Sequence, residues 1–295
     1  MRCDGGRRNG WQIAESAAFR RLVHFCYQRR GLRILSHAVR RRMYRDRCLR
    51  IDDFDGDLVF HCRLDEHMGS YIYWRGCYSR DALRVFTGLL RDGMVFVDVG
   101  ANQGEFTLAA AKRLPHGRVL AFEPMAGIFE RLLRNLEANA FRNVSARRQG
   151  LWSEPGRRPL YSRPSAFGDG SAHEGLATLF PNSLRSAPAG EIECTTLDAA
   201  VDAEGLERVD LVKIDVEGAE LGVLRGARAT LERHRPVLLI EADRERAEAA
   251  GTGLEALRSH LEERYRIEVI EPGGRTRPLG SAPLGDHQDL LCLPR

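Results

Sequence analysis

The sequence predicts an α/β protein, a mostly parallel sheet with helices on both faces. Two observations predict it. From Met94 onward, short apolar runs alternate with amphipathic segments, and several of the runs close on an acidic residue or glycine. That is the pattern of strands buried on both faces and connected by helices. At 295 residues the chain is also long enough for one such domain and a smaller N-terminal part.

Residues 1–50 read as a basic helical extension, with Phe19, Leu22, Val23, Cys26 and Tyr27 on one face. They hold 14 arginines against Asp4, Glu15 and Asp46, a net +11 that leaves −7 for the rest of the chain. A mildly acidic body argues against a protein built to grip nucleic acid. The extension is expected either to pack on that body or to make weak contact with an anionic membrane surface. All but two of the 45 basic residues are arginine, so arginine clusters carry little signal and Lys112 and Lys213 carry more. Seven cysteines, none in C-x-x-C spacing, fit reduced thiols better than a disulfide framework or a zinc site. Without a signal-peptide pattern or a long apolar run, a cytoplasmic location is expected.

Residues 51–79 form a lead-in with short strands expected at 58–60 and 71–74. The main domain is expected over 80–295. It opens with a helix at 81–90, then a strand at 95–97 and a helix over 105–113 stopped by Pro115 and Gly117. A strand at 119–122 precedes a helix that should bury Phe129, Leu132, Leu133 and Leu136. The segment 144–152 reads as a third strand, and 155–190 as an aperiodic insertion. A helix at 197–201 and a strand at 209–215 follow. One helix is expected from Glu217 to about Arg233. A strand at 237–240 is closed by Glu241. A helix at 254–261 and strands at 267–270 and 289–293 complete the chain.

The strongest motif is Val97-Asp98-Val99-Gly100-Ala101-Asn102-Gln103-Gly104. A strand, an acid and a G-x-x-x-G turn into a helix let backbone approach a bulky ligand closely. A dinucleotide fingerprint would need glycine where Asn102 stands, and a phosphate loop needs Gly-Lys-Ser/Thr. The motif therefore fits a ligand without phosphate. Asp98 would reach a cationic amino group, while the turn Gly100–Asn102–Gly104 carries a carboxylate and a sulfonium. As plain structure, Asp98 would cap the helix and the glycines serve a tight turn. Glu123 ends the next strand 19 residues after Gly104 and is followed by Pro124, where a carboxylate can take both hydroxyls of a ribose. The second cluster is Lys213-Ile214-Asp215-Val216-Glu217-Gly218-Ala219-Glu220. Asp215 sits where the chemistry-facing edge of the sheet should lie, with Glu217 and Glu241 beside it as further candidate bases. Acids in a first helical turn are also common dipole complements, and a lysine within a parallel strand needs a carboxylate partner.

These stretches, with Ala121-Phe122-Glu123-Pro124, Thr195-Thr196-Leu197-Asp198 and Leu224-Arg225-Gly226-Ala227, resemble the FkbM-type class I methyltransferases over about residues 70–245. The resemblance implies a Rossmann-like, seven-stranded, mostly parallel sheet with a last antiparallel strand. It also implies S-adenosyl-L-methionine as cofactor and a hydroxyl of a sugar, glycan or natural product as acceptor. Family members often carry Gly-x-Tyr-Glu before the core, whereas this chain has Gly76-Cys77-Tyr78-Ser79, leaving that role vacant or to Asp81. The insertion 155–190 is expected to border the acceptor site through Tyr161, Phe167 and His173. No metal is expected. The rival readings are a nicotinamide-dependent oxidoreductase on a related sheet and a non-catalytic interaction module that keeps the fold.

Overall fold

The structure, a computed structural model, describes residues 21, 48–64, 66–162, 177–181 and 186–295. The helical face expected within residues 1–50, and Phe167 and His173, lie outside the described residues. The chain divides into two units, one taking in residues up to 78 with 137–140, the other beginning at Ser79.

In the first unit, β1 (Cys48–Phe54) and β2 (Leu58–Arg63) form an antiparallel hairpin. Its turn places Asp55 and Gly56 at positive φ, where Asp and Gly are tolerated. Helix α1 (His67–Arg75) begins where the Glu66 side chain accepts the Gly69 N–H and ends at Gly76, in the left-handed conformation. The strand expected at 71–74 is therefore helix. Ile72, Tyr73 and Trp74 are buried in succession, which reads like a strand in one dimension. The caps on either side, and a Gly69 whose Cβ would lie 2.6 Å from the Arg63 carbonyl oxygen, make it a helix laid on the end of β2.

The second unit opens with α2 (Arg80–Leu89), β3 (Val95–Val99), α3 (Glu105–Arg113), β4 (Arg118–Phe122), α4 (Ala126–Ala138) and β5 (Val144–Arg147). Three strands of a smaller sheet follow, β6 (Gly150–Leu151), β7 (Gly156–Ser162) and β8 (Ala187–Thr195). The chain then runs through α5 (Leu197–Ala203), β9 (Leu211–Ile214), α6 (Glu220–Arg225), α7 (Arg228–His234) and β10 (Val237–Asp243). It ends with α8 (Arg244–Ala249), α9 (Gly253–Glu262), β11 (Tyr265–Glu271), β12 (Arg275–Pro278) and β13 (His287–Pro294). The main sheet has the order β12-β11-β13-β10-β9-β3-β4-β5. The five strands from β10 to β5 are parallel, and β13 runs antiparallel between β10 and β11. This is the expected α/β sheet with one addition, the exposed edge strand β12. Successive strand residues sort to opposite faces. Val97, Val99, Val212 and Ile214 join one apolar core, and Phe96, Leu211 and Leu239 the other.

Three further expectations are corrected. The strand at 144–152 is two strands in two sheets, because the chain leaves the main sheet after Arg147. The helix from Glu217 to Arg233 is broken at Gly226–Ala227. Leu133 is the exposed exception on α4 (36%), while Leu132 and Leu136 are buried. The break in the second case is a packing demand. A Cβ on Gly222 would meet the Trp152 ring at 2.1 Å, and one on Gly226 the Trp152 carbonyl oxygen at 2.0 Å. Asp198 receives the N–H groups of Ala229 and Thr230 at the start of α7, so the Thr195–Asp198 motif serves as a cap. Among the described residues no helix is long and apolar enough to cross a membrane.

Gly226→Ala should lower stability by about 1–3 kcal/mol through overpacking against Trp152. Gly88→Ala, on α2 with nothing within 4 Å of its Cβ, should gain about 0.5–1 kcal/mol. Denaturant midpoints decide, and equal effects at the two sites would remove the Trp152 contact as the reason for the break.

Candidate active site

The strand order reverses between β3 and β9, so the loops leaving their carboxyl ends diverge and open a crevice there. Both sequence motifs occupy this place. The N–H groups of Gly100 and Ala101 donate to the Phe122 carbonyl, folding the turn back over β4. Gly100, Asn102 and Gly104 have φ of +81°, +50° and +102°. A Cβ on Gly100 would lie 1.9 Å from the Asp215 carbonyl oxygen, and one on Gly104 would strike Leu108 and Leu132. Each glycine is thus required by the protein's own packing. Asn102 tolerates the left-handed conformation and its side chain accepts the Gln103 N–H.

Glu123 is buried beside this turn. Its Oε2 accepts the Asn102 N–H at 3.1 Å and its Oε1 the Met125 N–H at 2.9 Å. Burial pushes its carboxyl up to about 7, against the two N–H groups and Lys213. Each oxygen keeps further lone pairs for ligand hydroxyls. Pro124, half-buried, carries the chain from it toward α4. Asp98 is placed otherwise than the sequence reading has it. It has no exposed surface, its Oδ2 accepts the Thr107 hydroxyl at 2.6 Å, and its Oδ1 lies 3.4 Å from Lys213 Nζ. It supports the turn from behind.

Lys213 is the joint between the two motifs. Its Nζ donates to the Gly100 carbonyl at 2.7 Å and stands 3.4 Å from both Asp98 Oδ1 and Asp215 Oδ2. Burial alone would lower its pKa, but Asp215 and Asp98 outweigh this and hold it charged.

Asp215, Glu217 and Glu241 come together at the crevice, with carboxylate oxygens within 4.8 Å of one another. Glu241 lies within β10, which continues to Asp243. Burial would raise the Asp215 pKa, but Lys213, a hydrogen bond with Glu241 and Arg246 bring it below the usual carboxylate value. Burial and the neighbouring Asp215 charge drive Glu241 well above that value. The two acids are thus driven apart, Asp215 toward its ionised form and Glu241 toward its protonated form, and a third of the Asp215 side chain is exposed. Such a divergence between neighbouring acids marks acid and base roles. The trio's spacing would suit a divalent ion, but the Arg246 guanidinium already bonds Glu217 (2.8 Å) and Glu241 and supplies positive charge there.

Glu217 has φ +57°, uncommon for a residue with a side chain. The turn is held from several sides. Glu220 accepts the Val216 and Gly218 N–H groups, and the Thr178 hydroxyl donates to the Glu217 carbonyl at 2.8 Å. Thr178 also bridges to Tyr161 on β7, so the described part of the 155–190 segment reaches the acidic turn. Asp81 instead accepts the Gly273 N–H, while the Ser79 N–H donates to the buried Glu105.

Sequence reading missed Arg246, Asp289 and His287. Asp289 lies directly opposite Glu241 across the β10–β13 ladder, where like charges destabilise. Burial and Asp215 push its carboxyl up to about 6. An acid opening an apolar C-terminal strand was the visible signal, but register was not.

Thr178→Val should cost about 0.5–1.5 kcal/mol by leaving the Glu217 carbonyl one donor short, and Thr178→Ser should restore most of it. Thermal unfolding of both variants is the check; a larger loss in Thr178→Ser than in Thr178→Val would mean that methyl packing, and not the hydroxyl, holds the turn.

Residues 98–267 match the methyltransferase FkbM domain family. The AMB antimetabolite synthetase AmbE of Pseudomonas aeruginosa is 32% identical over 232 residues, covering 69% of this chain and 11% of AmbE. The hexuronic acid methyltransferase AglP of Haloferax volcanii is 28% identical over 154 residues, covering 52% of this chain and 58% of AglP. The chain thus spans a small part of the first relative and under two thirds of the second. The solved methyltransferase FkbM from Methylobacillus flagellatus is 20% identical, with a TM-score of 0.45, covering 77% of this chain and 48% of that one. With more than half of its length matched, the chain belongs to the methyltransferase FkbM domain family.

Proposed function

We propose that this chain binds S-adenosyl-L-methionine at the turn 100–104 and Glu123, and methylates a hydroxyl of a sugar, glycan or natural product. The observation that carries the reading is the juxtaposition of Asp215 and Glu241, two acids that their surroundings shift in opposite directions, on the crevice wall where Asp215 backs onto Gly100. Family membership supports the cofactor, and the name of AglP supports a sugar acceptor.

The residues fit the cofactor. Glu123 keeps lone pairs for the ribose hydroxyls, and the exposed side of the turn, with Asn102 half-buried, receives the amino-acid end. When bound, the cofactor supplies an electrophilic methyl group on a sulfonium. The chain's part is to align an acceptor oxygen with it and to take the acceptor proton. Asp215 is the base, because it is ionised and partly open. Glu241 hydrogen-bonds it and is the more readily protonated of the two, so Asp215 acts first. Glu217, tied to Arg246, shapes the wall and counters its charge.

Isothermal calorimetry with S-adenosyl-L-methionine, joined to transfer of a labelled methyl group into a metabolite pool, tests this reading. The wild-type chain should bind one equivalent. Asp215→Asn should bind within about twofold of wild type and lose turnover by 10²–10⁴-fold, roughly the worth of a positioned base. Glu123→Ala should lose about 2–3 kcal/mol of binding. Wild-type turnover in Asp215→Asn would remove it as the base, and an absence of cofactor binding by the wild type would sink the reading altogether.

A further inference from the structure

The reaction proposed above releases one proton per turn, and with an acceptor seated over its exposed third Asp215 has Glu241 as the way to pass it on. Strand β13 brings a histidine to the outer side of the acidic pair. His287 Nε2 stands 3.7 Å from Glu241 Oε1, and its Nδ1 stands 3.3 Å from Asp243 Oδ2. Its side chain is 58% exposed. The ladder pairs His287 with Asp243 and Asp289 with Glu241, so all four side chains share one face of the sheet. Running inward, the order is solvent, His287, Glu241, Asp215 and the crevice.

We infer that His287 is the proton exit of this site, a positioning residue that discharges the Asp215–Glu241 pair to solvent. The inference rests on the methyl-transfer reading. The acceptor O–H bond breaks as oxygen takes the methyl group, and its proton goes to Asp215. Glu241 gives its own proton to His287 Nε2, across a gap that one water or a small rotation closes. The exposed ring then turns outward and gives the Nε2 proton to water, while Nδ1–H stays with Asp243, so the starting tautomer is restored. The proton on Asp215 then passes to Glu241 along their shared hydrogen bond, and the pair again holds one. One proton enters and one leaves, and no other co-reactant is needed.

The charges around the imidazole suit this duty. Glu241 and Asp243 face it from β10, and Arg246 shares both of those carboxylates with it. Asp289 lies two residues along its own strand. Arg244 and Asp286, next to its approach, pair with each other. Asp215 and Lys213 stand behind Glu241, and Asp81 adds charge through Asp289. An imidazole with its Nδ1–H toward Asp243 presents Nε2 as an acceptor on the side of Glu241.

The test is an NMR titration of the His287 imidazole, assigned by loss of its signal in His287→Gln and run on the full chain without added ligand. Glu241→Gln leaves Asp215 charged but removes the nearer acid onto which that charge can move when His287 gains a proton, so the His287 midpoint should fall by about half a pH unit. Asp215→Asn moves the pair's charge onto Glu241, so the midpoint should rise by about the same amount. Opposite shifts support the relay, because a histidine uncoupled from the shared proton has no reason to respond in opposite senses. Midpoints agreeing within about 0.1 unit would overturn it. If one variant does not fold, as judged by its spectral dispersion, the other decides by its sign. Calorimetry with S-adenosyl-L-methionine separates the two readings. Opposite shifts in a chain that does not bind the cofactor would overturn methyl transfer, and with it the assignment of the exit to that reaction. Binding with unresponsive His287 would overturn the exit alone.

Discussion

The site is organised by the charge on Lys213. A buried ammonium is costly unless paired and hydrogen-bonded. Here it is supported by Asp98 on β3, Asp215 beyond β9, and the Gly100 carbonyl between them. These contacts tie together the two parallel strands at which the sheet order reverses. They also set the chemistry, since Lys213 holds Asp215 ionised and, through Asp215, drives the neighbouring Glu241 toward its protonated form. Fold and reactivity depend on the same ion.

Around that ion the backbone is held in conformations it would not choose freely. Gly100 and Gly104 are at positive φ because strands and helices press on them. Glu217 is at positive φ without that excuse, kept there by Thr178, Arg246 and the turn that Glu220 closes. Strain in a residue with a side chain persists only when its surroundings over-determine it. The acidic turn meets that condition, and through Thr178 it is tied to the segment that the sequence marks as outside the family pattern.

Much of this was legible in the sequence. Strands β3, β4, β9 and β10 announce themselves as short apolar runs because both faces are buried, and α3 is bounded by its own Gly104 and Pro115. The motif acids Glu123, Asp215, Glu217 and Glu241 do gather at the predicted sheet edge. What was hidden depends on the third dimension. The helix at Tyr71–Trp74 is decided by caps at Glu66 and Gly76 that outweigh a strand-like run of consecutive buried residues. The break at Gly226 is decided by Trp152, some 70 positions away in the chain. Asp289 and His287 join the site only through the register of β13 on β10, which periodicity does not encode. Arg246 was discounted among many arginines, and Asp98 proved to be an inner support.

The most direct measurement of the Lys213 account is a double-mutant cycle on stability with Lys213→Met and Asp98→Asn. Lys213→Met alone should cost about 3–5 kcal/mol, because it leaves Asp98 buried without its partner charge. Adding Asp98→Asn removes that orphaned charge, so the double variant should recover a large part of the loss, with a coupling of about 2 kcal/mol or more. Effects that add within about 0.5 kcal/mol would contradict the account, since Lys213 and Asp98 would then contribute independently.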